Sequence, residues 1–219
     1  MKIGIIGAGN IGSALTRGLR GLGHEVRVAN SRGPETLADL AAETGATAVA
    51  VGEAAEGAEV VVVTIPQKRV PDLPAGVLDA AAPGAVVVDT GNYYPKERDG
   101  LIAEIEDGVT ESRWVSDHLG VPVVKAFNGI AAAHLQDKGL PAGNPDRIAL
   151  PIAGDDPSAK AVVSDLIDAL GFDPVDAGTL DESWRQQPGS PSYGKDFPVD
   201  KLKAALAEAT PERTEQFKA

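Results

Sequence analysis

A doubly wound α/β fold with a mainly parallel sheet is the class this 219-residue sequence predicts, and three observations predict it. A short apolar run (Ile3, Ile5, Ile6) meets glycines at 7, 9 and 12, a helical pattern follows at once, and a second apolar run reads Glu25–Ala29. Strand-like and helical stretches then alternate along most of the chain, as they do where parallel strands are joined by right-handed crossovers. With 43% hydrophobic residues but only nine aromatics (two Trp, three Tyr, four Phe), the core must be built from Val, Ile, Leu and Ala, the usual material of buried parallel strands.

The elements follow in order. Ile11, Ala14, Leu15, Gly18, Leu19 and Leu22 fall on one face of a 3.6-period helix, and Gly23 stands where a helix-ending glycine belongs. Pro34 suits the first position of a short helix that carries Leu37, Leu40 and Ala41 and ends near Gly45. The patterning predicts further strands at 46–51, 59–66, 84–92, 121–128, 147–154 and 172–177. It also predicts a connecting turn or helix at 53–58 and an amphipathic helix between Pro157 and Gly171. There is no internal repeat. Past Gly178 the pattern changes: residues 179–198 are rich in Pro, Gly and Gln and hold Trp184, Tyr193 and Phe197, before a short helix (Val199–Ala209) and a charged tail. The expected organisation is a Rossmann-type nucleotide-binding domain over 1–178 with a loop-and-helix extension over 179–219, a lid or interface segment.

Each glycine of the opening motif has a mechanical task. Gly7 permits the sharp turn out of the strand, Gly9 lets the backbone approach a pyrophosphate, and Gly12 lets the helix pack closely on the strand. The free amides at the helix start and the positive end of its dipole then hold phosphates. In this strand–turn–helix–strand setting, Gly7, Ala8, Gly9, Asn10, Ile11 and Gly12 are expected to bind a dinucleotide. At the end of the second strand, NAD sites place an acid for the ribose 2′-hydroxyl. Here stand Asn30, Ser31 and Arg32, with no acid before Glu35. A hydroxyl and a guanidinium suit a 2′-phosphate, so the expected cofactor is NADP.

Composition excludes several classes. A net charge of −12 argues against nucleic acid or an anionic membrane as partner. With no cysteine there are no disulfides, thiolate metal sites, iron–sulfur clusters or thiol nucleophile. His24, His118 and His134 show no metal-ligand spacing and read as surface or loop residues. The N-terminus does not read as a signal peptide, and no run approaches the ~18 apolar residues of a membrane span. A cytoplasmic protein is expected.

In open parallel sheets, ligands sit beyond the carboxyl ends of the strands. That adds Thr64, Ile65, Pro66, Ala126 and Asn128 to the cofactor-binding candidates. Pro66, without an N–H, either lines an apolar wall or simply ends the strand. Asn128 either orients a nicotinamide or caps a helix starting at Ile130. Lys125 either points into a crevice or, on the plainer reading, is partly solvated. No His, Lys or Tyr constellation suggests acid–base catalysis, so no catalytic side chain is assigned.

Six stretches resemble the NADPH-dependent reductases of the 8-hydroxy-5-deazaflavin coenzyme, F420, across about residues 1–178: G-A-G-N-I-G at 7–12, S-R at 31–32, V-V-V-T-I-P at 61–66, V-V-K-A-F-N at 123–128, P-I-A-G-D-D at 151–156 and D-A-G at 176–178. V-V-K-A-F-N is also similar to the cytosolic NADPH-binding domain of six-transmembrane metalloreductases. The resemblance implies hydride transfer between NADP(H) and a deazaflavin, with residues 8–11, Ser31, Arg32 and Pro66 on the nucleotide and Ala126 to Asn128 near the stacked rings. Two departures stand out. The 186–194 loop has no counterpart in those enzymes, and Asn128 replaces a His of the archaeal type; a flavin, a quinone-like molecule or another small acceptor is therefore an alternative, and Trp184, Gln186, Gln187 and Tyr193 form either a lid over it or a loop that wraps the sheet edge or a partner subunit. The alternatives are a dehydrogenase of small carbonyls or imines and a non-catalytic NADPH sensor; a homodimer is compatible with all three.

Overall fold

A computed structural model describes all 219 residues. Six strands, β1 (Lys2–Ile6), β2 (Glu25–Ala29), β3 (Thr47–Ala48), β4 (Val60–Val63), β5 (Val86–Asp89) and β6 (Val123–Lys125), form one sheet in the order 3-2-1-4-5-6. Every neighbouring pair in it is parallel. This order reverses direction between β1 and β4, so their carboxyl-end loops diverge and leave a crevice.

Alternation along the strands sorts the core into two layers. Ile3, Ile5, Val60, Val62, Val86 and Val88 face helices α1 (Asn10–Gly21), α5 (Ala132–Asp137) and α6 (Pro157–Ala169). Val61, Val63 and Val87 face the opposite side, which α4 (Glu111–Leu119) and turns cover. All four valines of β4 are buried, each contributing roughly 1.5–3 kcal/mol of burial energy. No helix is long and apolar enough to cross a membrane.

The remaining strands do not extend this ladder. β7 (Ala149–Ile152) and β8 (Asp173–Asp176) pair in parallel as a separate two-stranded sheet, hooked to β6 by an antiparallel bridge between Lys125 and Ala153. The expected strand at 46–51 shrinks to two residues at the sheet edge. The β4–β5 crossover holds no α-helix, because Pro66, Pro71 and Pro74 remove donors a helix would need. Between β5 and β6 the chain adds α3 (Ala103–Glu106) and α4, which the strand patterning passed over. The signal for α4 was Thr110, whose hydroxyl accepts the Arg113 amide as an N-cap. After β6 the helix begins at Ala132 with no side-chain cap, so Asn128 is not its cap.

Residues 179–219 run back over the sheet. Leu180 is fully buried, the segment 180–186 forms short 3-10 turns, and α7 (Val199–Glu208) packs Leu202 and Leu206 onto β7 and β8. The segment is clamped at its start: Asp155 accepts the Leu180 amide (2.9 Å) and the Arg113 guanidinium (2.7 Å), and Arg113 also holds Asp181. The Leu180 amide, then Arg113, keeps the Asp155 carboxyl below its ordinary range. A depressed carboxyl contributes stability that is present above about pH 3.9 and is lost as pH falls through its lower folded value. Asp155→Asn is therefore expected to speed hydrogen exchange at 180–186 several-fold at pH 7. The gap from the native chain should narrow as pH falls below about 3.9 and close once pH is below the lowered folded value; a gap that persists there would separate the clamp from Asp155 ionisation.

Candidate functional site

The crevice at the switch point is a cleft of about 550 Å³. Gly7–Gly9 from the β1 turn, Asn30–Arg32 from the end of β2 and Thr64–Pro66 from the end of β4 line it together. Asn10, Ile11 and Gly12 begin α1 directly behind it. Six further residues line it that are not among the sequence candidates: Ile6, Val51, Arg69, Asp72, Leu73 and Pro74. Ile6 ends β1 and Val51 closes the expected strand at 46–51, whereas Arg69, Asp72, Leu73 and Pro74 lie in the irregular β4–β5 segment, which the prolines at 66, 71 and 74 mark.

The three glycines divide by what demands them. A Cβ on Gly12 would sit 1.9 Å from the Gly7 carbonyl oxygen. Gly7 has φ +115°, and a Cβ there would sit 2.2 Å from the Thr64 carbonyl oxygen. Both are required by the protein's own atoms. Gly9 has an ordinary φ of −76°, and a Cβ on it would meet nothing within 4 Å. Neither backbone strain nor packing calls for glycine at 9, so the open space beside it is room for a ligand. The helix start fits an anion as well: no side chain caps α1, and its first turn holds no acid.

At the other end of the cleft, Asn30 shapes the turn. Its Oδ1 accepts the Arg32 amide (2.9 Å) and its Nδ2 donates to Thr36 Oγ1 (2.8 Å). The Ser31 hydroxyl and the exposed Arg32 guanidinium are left without a partner in the chain, at the position where a 2′-phosphate would lie. Arg69, on the opposite wall, pairs with Asp72 at 2.8 Å. The donor set therefore fits an NADP-type dinucleotide at its adenosine and pyrophosphate end.

The other candidates lie beyond the cleft, at the carboxyl ends of β5 and β6. Ala126 is fully buried. Asn128 is 5% exposed, and its amide is fully engaged within the chain. Its Nδ2 donates to Asn92 Oδ1 (3.0 Å) and the Gln186 carbonyl (2.7 Å), and its Oδ1 accepts from Gln186 Nε2 (2.9 Å). The 186–194 loop is thus fastened over this end of the sheet. Gly194 donates to the Gly129 carbonyl, and the Tyr193 and Tyr94 hydroxyls are hydrogen-bonded to each other. Burial, reinforced by Tyr94, pushes the Tyr193 phenol well above its ordinary value. Phe127, just before Asn128, is the one non-glycine residue with positive φ, at 61°.

Lys125 differs from its plainer expectation. It is 1% exposed, and its ammonium donates to the Gly91 carbonyl (2.6 Å) and Asp89 Oδ2 (3.3 Å), with Glu111 Oε2 at 3.7 Å. Glu111 is in turn held by Arg213 of the tail at 2.7 Å. The histidines stay away from the cleft: His118 stacks on Trp114 within α4, His134 pairs with Asp196, and His24 meets the N-terminus.

Residues 2–93 match the family model described as NADP oxidoreductase, coenzyme F420-dependent. A solved structure of a hypothetical protein, SMa0349 from Sinorhizobium meliloti, is similar at 32% identity and TM-score 0.76, covering 91% of this chain and 96% of that one. A structure described as an F420-dependent NADP reductase from Arthrobacter sp. FB24 is similar at 26% identity and TM-score 0.68, covering 82% and 85%. Metalloreductase STEAP3 of Rattus norvegicus is 33% identical over 180 residues, 82% of this chain. The chain spans only 42% and 34% of the curated relatives it matches, the latter being that metalloreductase.

The glycine contrast makes a test. Gly12→Ala is expected to cost the fold about 1–3 kcal/mol through overpacking. Gly9→Ala should leave the unfolding midpoint unchanged while weakening NADPH binding about tenfold or more. Matched titrations and denaturation curves of the two variants check this, and unchanged NADPH affinity in Gly9→Ala would remove the ligand role of that space.

Proposed function

We propose, from the match of residues 2–93 to the family of coenzyme F420-dependent NADP oxidoreductases, that the chain passes a hydride between NADP(H) and a deazaflavin or flavin-type coenzyme. The observation that carries the reading is the glycine that nothing in the fold requires, Gly9, facing the partnerless Ser31 and Arg32 along one cleft. Residues 7–12 hold the pyrophosphate, Ser31 and Arg32 the 2′-phosphate, and Thr64–Pro66 the wall beside the dinucleotide. Residues 1–178 act as the NADP unit, and 179–219 cover the acceptor side, where 91–94, 126–130 and 186–194 meet.

A bound nicotinamide supplies the hydride itself. The chain's contribution is to hold two flat rings together and keep water out. Asn128 acts by tying Asn92 to Gln186, and so fixes both walls of the acceptor side. Reduction of a carbonyl or imine would also call for a proton donor. Tyr193, with its raised pKa and its hydroxyl bonded to Tyr94, is a poor one, and Lys125 is enclosed beneath Gly91. Transfer from ring to ring makes no such demand.

Arg32→Ala is expected to weaken NADPH about tenfold or more while NADH changes little, because a charge-assisted contact to the 2′-phosphate is lost; equal losses would overturn the NADP assignment. Loss of nicotinamide absorbance should occur with the deazaflavin or a free flavin. Turnover confined to small carbonyls or imines would identify a dehydrogenase instead, and tight NADPH binding with no turnover a sensor.

A further inference from the structure

Beneath the loop that ends β5 lies a row of buried charges drawn from four segments: Asp89 at the end of β5, Lys125 at the end of β6, Glu111 at the start of α4 and Arg213 in the C-terminal tail. Their side chains are 2%, 1%, 3% and 8% exposed, and their signs alternate, so the row is neutral only with Arg213 in place. Arg213 also does more than balance charge. Its guanidinium donates to Glu111 Oε1 (2.7 Å), to the Tyr93 carbonyl (3.1 Å) and to the Phe217 carbonyl (2.9 Å), and lies 4.8 Å over the Tyr93 ring. One side chain thus joins α4, the β5 loop and the tail.

What this junction holds is the acceptor side. Lys125 grips the Gly91 carbonyl from below while Arg213 grips that of Tyr93. Between and beside them, Asn92 exchanges two hydrogen bonds with Asn128, and Tyr94 meets the Tyr193 hydroxyl. Phe217, brought in by the tail, stands 6.0 Å from the Tyr94 ring and lies against Gly189. All three tyrosines of a chain with few aromatics gather here. We infer that Arg213 is a positioning residue for the acceptor: by completing the buried row it fixes residues 91–94 against the 186–194 loop, and the tail is a structural part of the acceptor side. This rests on the functional reading above for what the walls receive, but not for the positioning itself.

The experiment uses the full chain with NADPH and either FMN or the 8-hydroxy-5-deazaflavin coenzyme. Arg213→Ala should raise the acceptor KM about tenfold or more, leave the NADPH Kd within about twofold, and speed amide exchange at 91–94 and 186–194 about tenfold, because it leaves Glu111 buried beside a single cation. Arg213→Lys, which keeps the charge and loses the fork, should fall between. The pair Glu111→Gln with Arg213→Met, which removes both charges together, should recover much of the exchange protection that Arg213→Ala loses. Unchanged KM and exchange in Arg213→Ala would overturn the proposal. So would loss of NADPH affinity in step with acceptor KM, which would make Arg213 a residue of the whole fold. If the native chain turns over neither acceptor, the functional reading fails, while exchange at 91–94 still decides whether Arg213 positions that loop.

Discussion

The rest of the structure depends on an approach of backbone to backbone that two absent Cβ atoms permit. Gly7 and Gly12 have no Cβ, and only so can α1 begin against the turn that ends β1, where a methyl on Gly12 would be 1.9 Å from a carbonyl oxygen. That approach sets the direction of α1, and with it the layer that α1 forms with α5 on one face of the sheet. It also aims the uncapped amides of the first turn at the crevice between β1 and β4. Fold and proposed phosphate cradle are therefore a single geometric decision, made by backbone sterics within twelve residues.

The far end of the same sheet is built on the opposite principle. Beside the local bonds that Asp89, Arg98 and Asp99 make to residues 91–94, the proposed acceptor side is assembled by polar and charged groups far apart in sequence. Asn92, Asn128 and Gln186 share one hydrogen-bond set, and Asp89, Lys125, Glu111 and Arg213 share one row of charge. Buried ion pairs offset little more than their own desolvation, so this row adds little to stability. What it does is penalise every arrangement in which one member is out of place, since a lone buried charge costs far more than the pair contributes. If this side receives a flat ring, as proposed, that intolerance serves it more than extra stability would.

This difference explains which parts could be read from the residues alone. The switch-point sheet, the helix after Gly12 and the grouping of 7–9, 30–32 and 64–66 follow from short-range periodicity and from the rule that ligands lie at strand carboxyl ends. The pairing of β7 with β8 as a separate sheet was not legible, because a strand's apolar pattern does not say which partner it takes; that each holds a proline, Pro151 and Pro174, is the one local difference from β4 and β5. Lys125 read as partly solvated because a lysine in an apolar run usually snorkels to water. Its actual partners, Asp89 and Glu111, lie 36 and 14 positions away and carry no shared motif. Asn128 was singled out for its place in the chain, yet both sides of its amide go to Asn92 and Gln186, groups that only the folded extension brings to it.

The charge of the chain bears on the cofactor half in a way the local geometry resolves. A protein with net charge −12 repels a polyanionic dinucleotide at long range. Screening in physiological salt confines such effects to roughly 8 Å, so the residues at the cleft decide the local field and the rest of the surface does not. Those residues are chosen accordingly: the first turn of α1 has no acid, the end of β2 offers a hydroxyl and a guanidinium, and Arg69 adds a second guanidinium to the cleft lining. The one carboxylate on that wall, Asp72, is already paired with Arg69. A locally cationic cleft in an acidic protein costs association rate at low salt and keeps affinity, because binding is set where the charges touch. The acidic surface outside it repels weakly bound polyanions, which leaves the cleft as the place where a phosphate-rich ligand can settle.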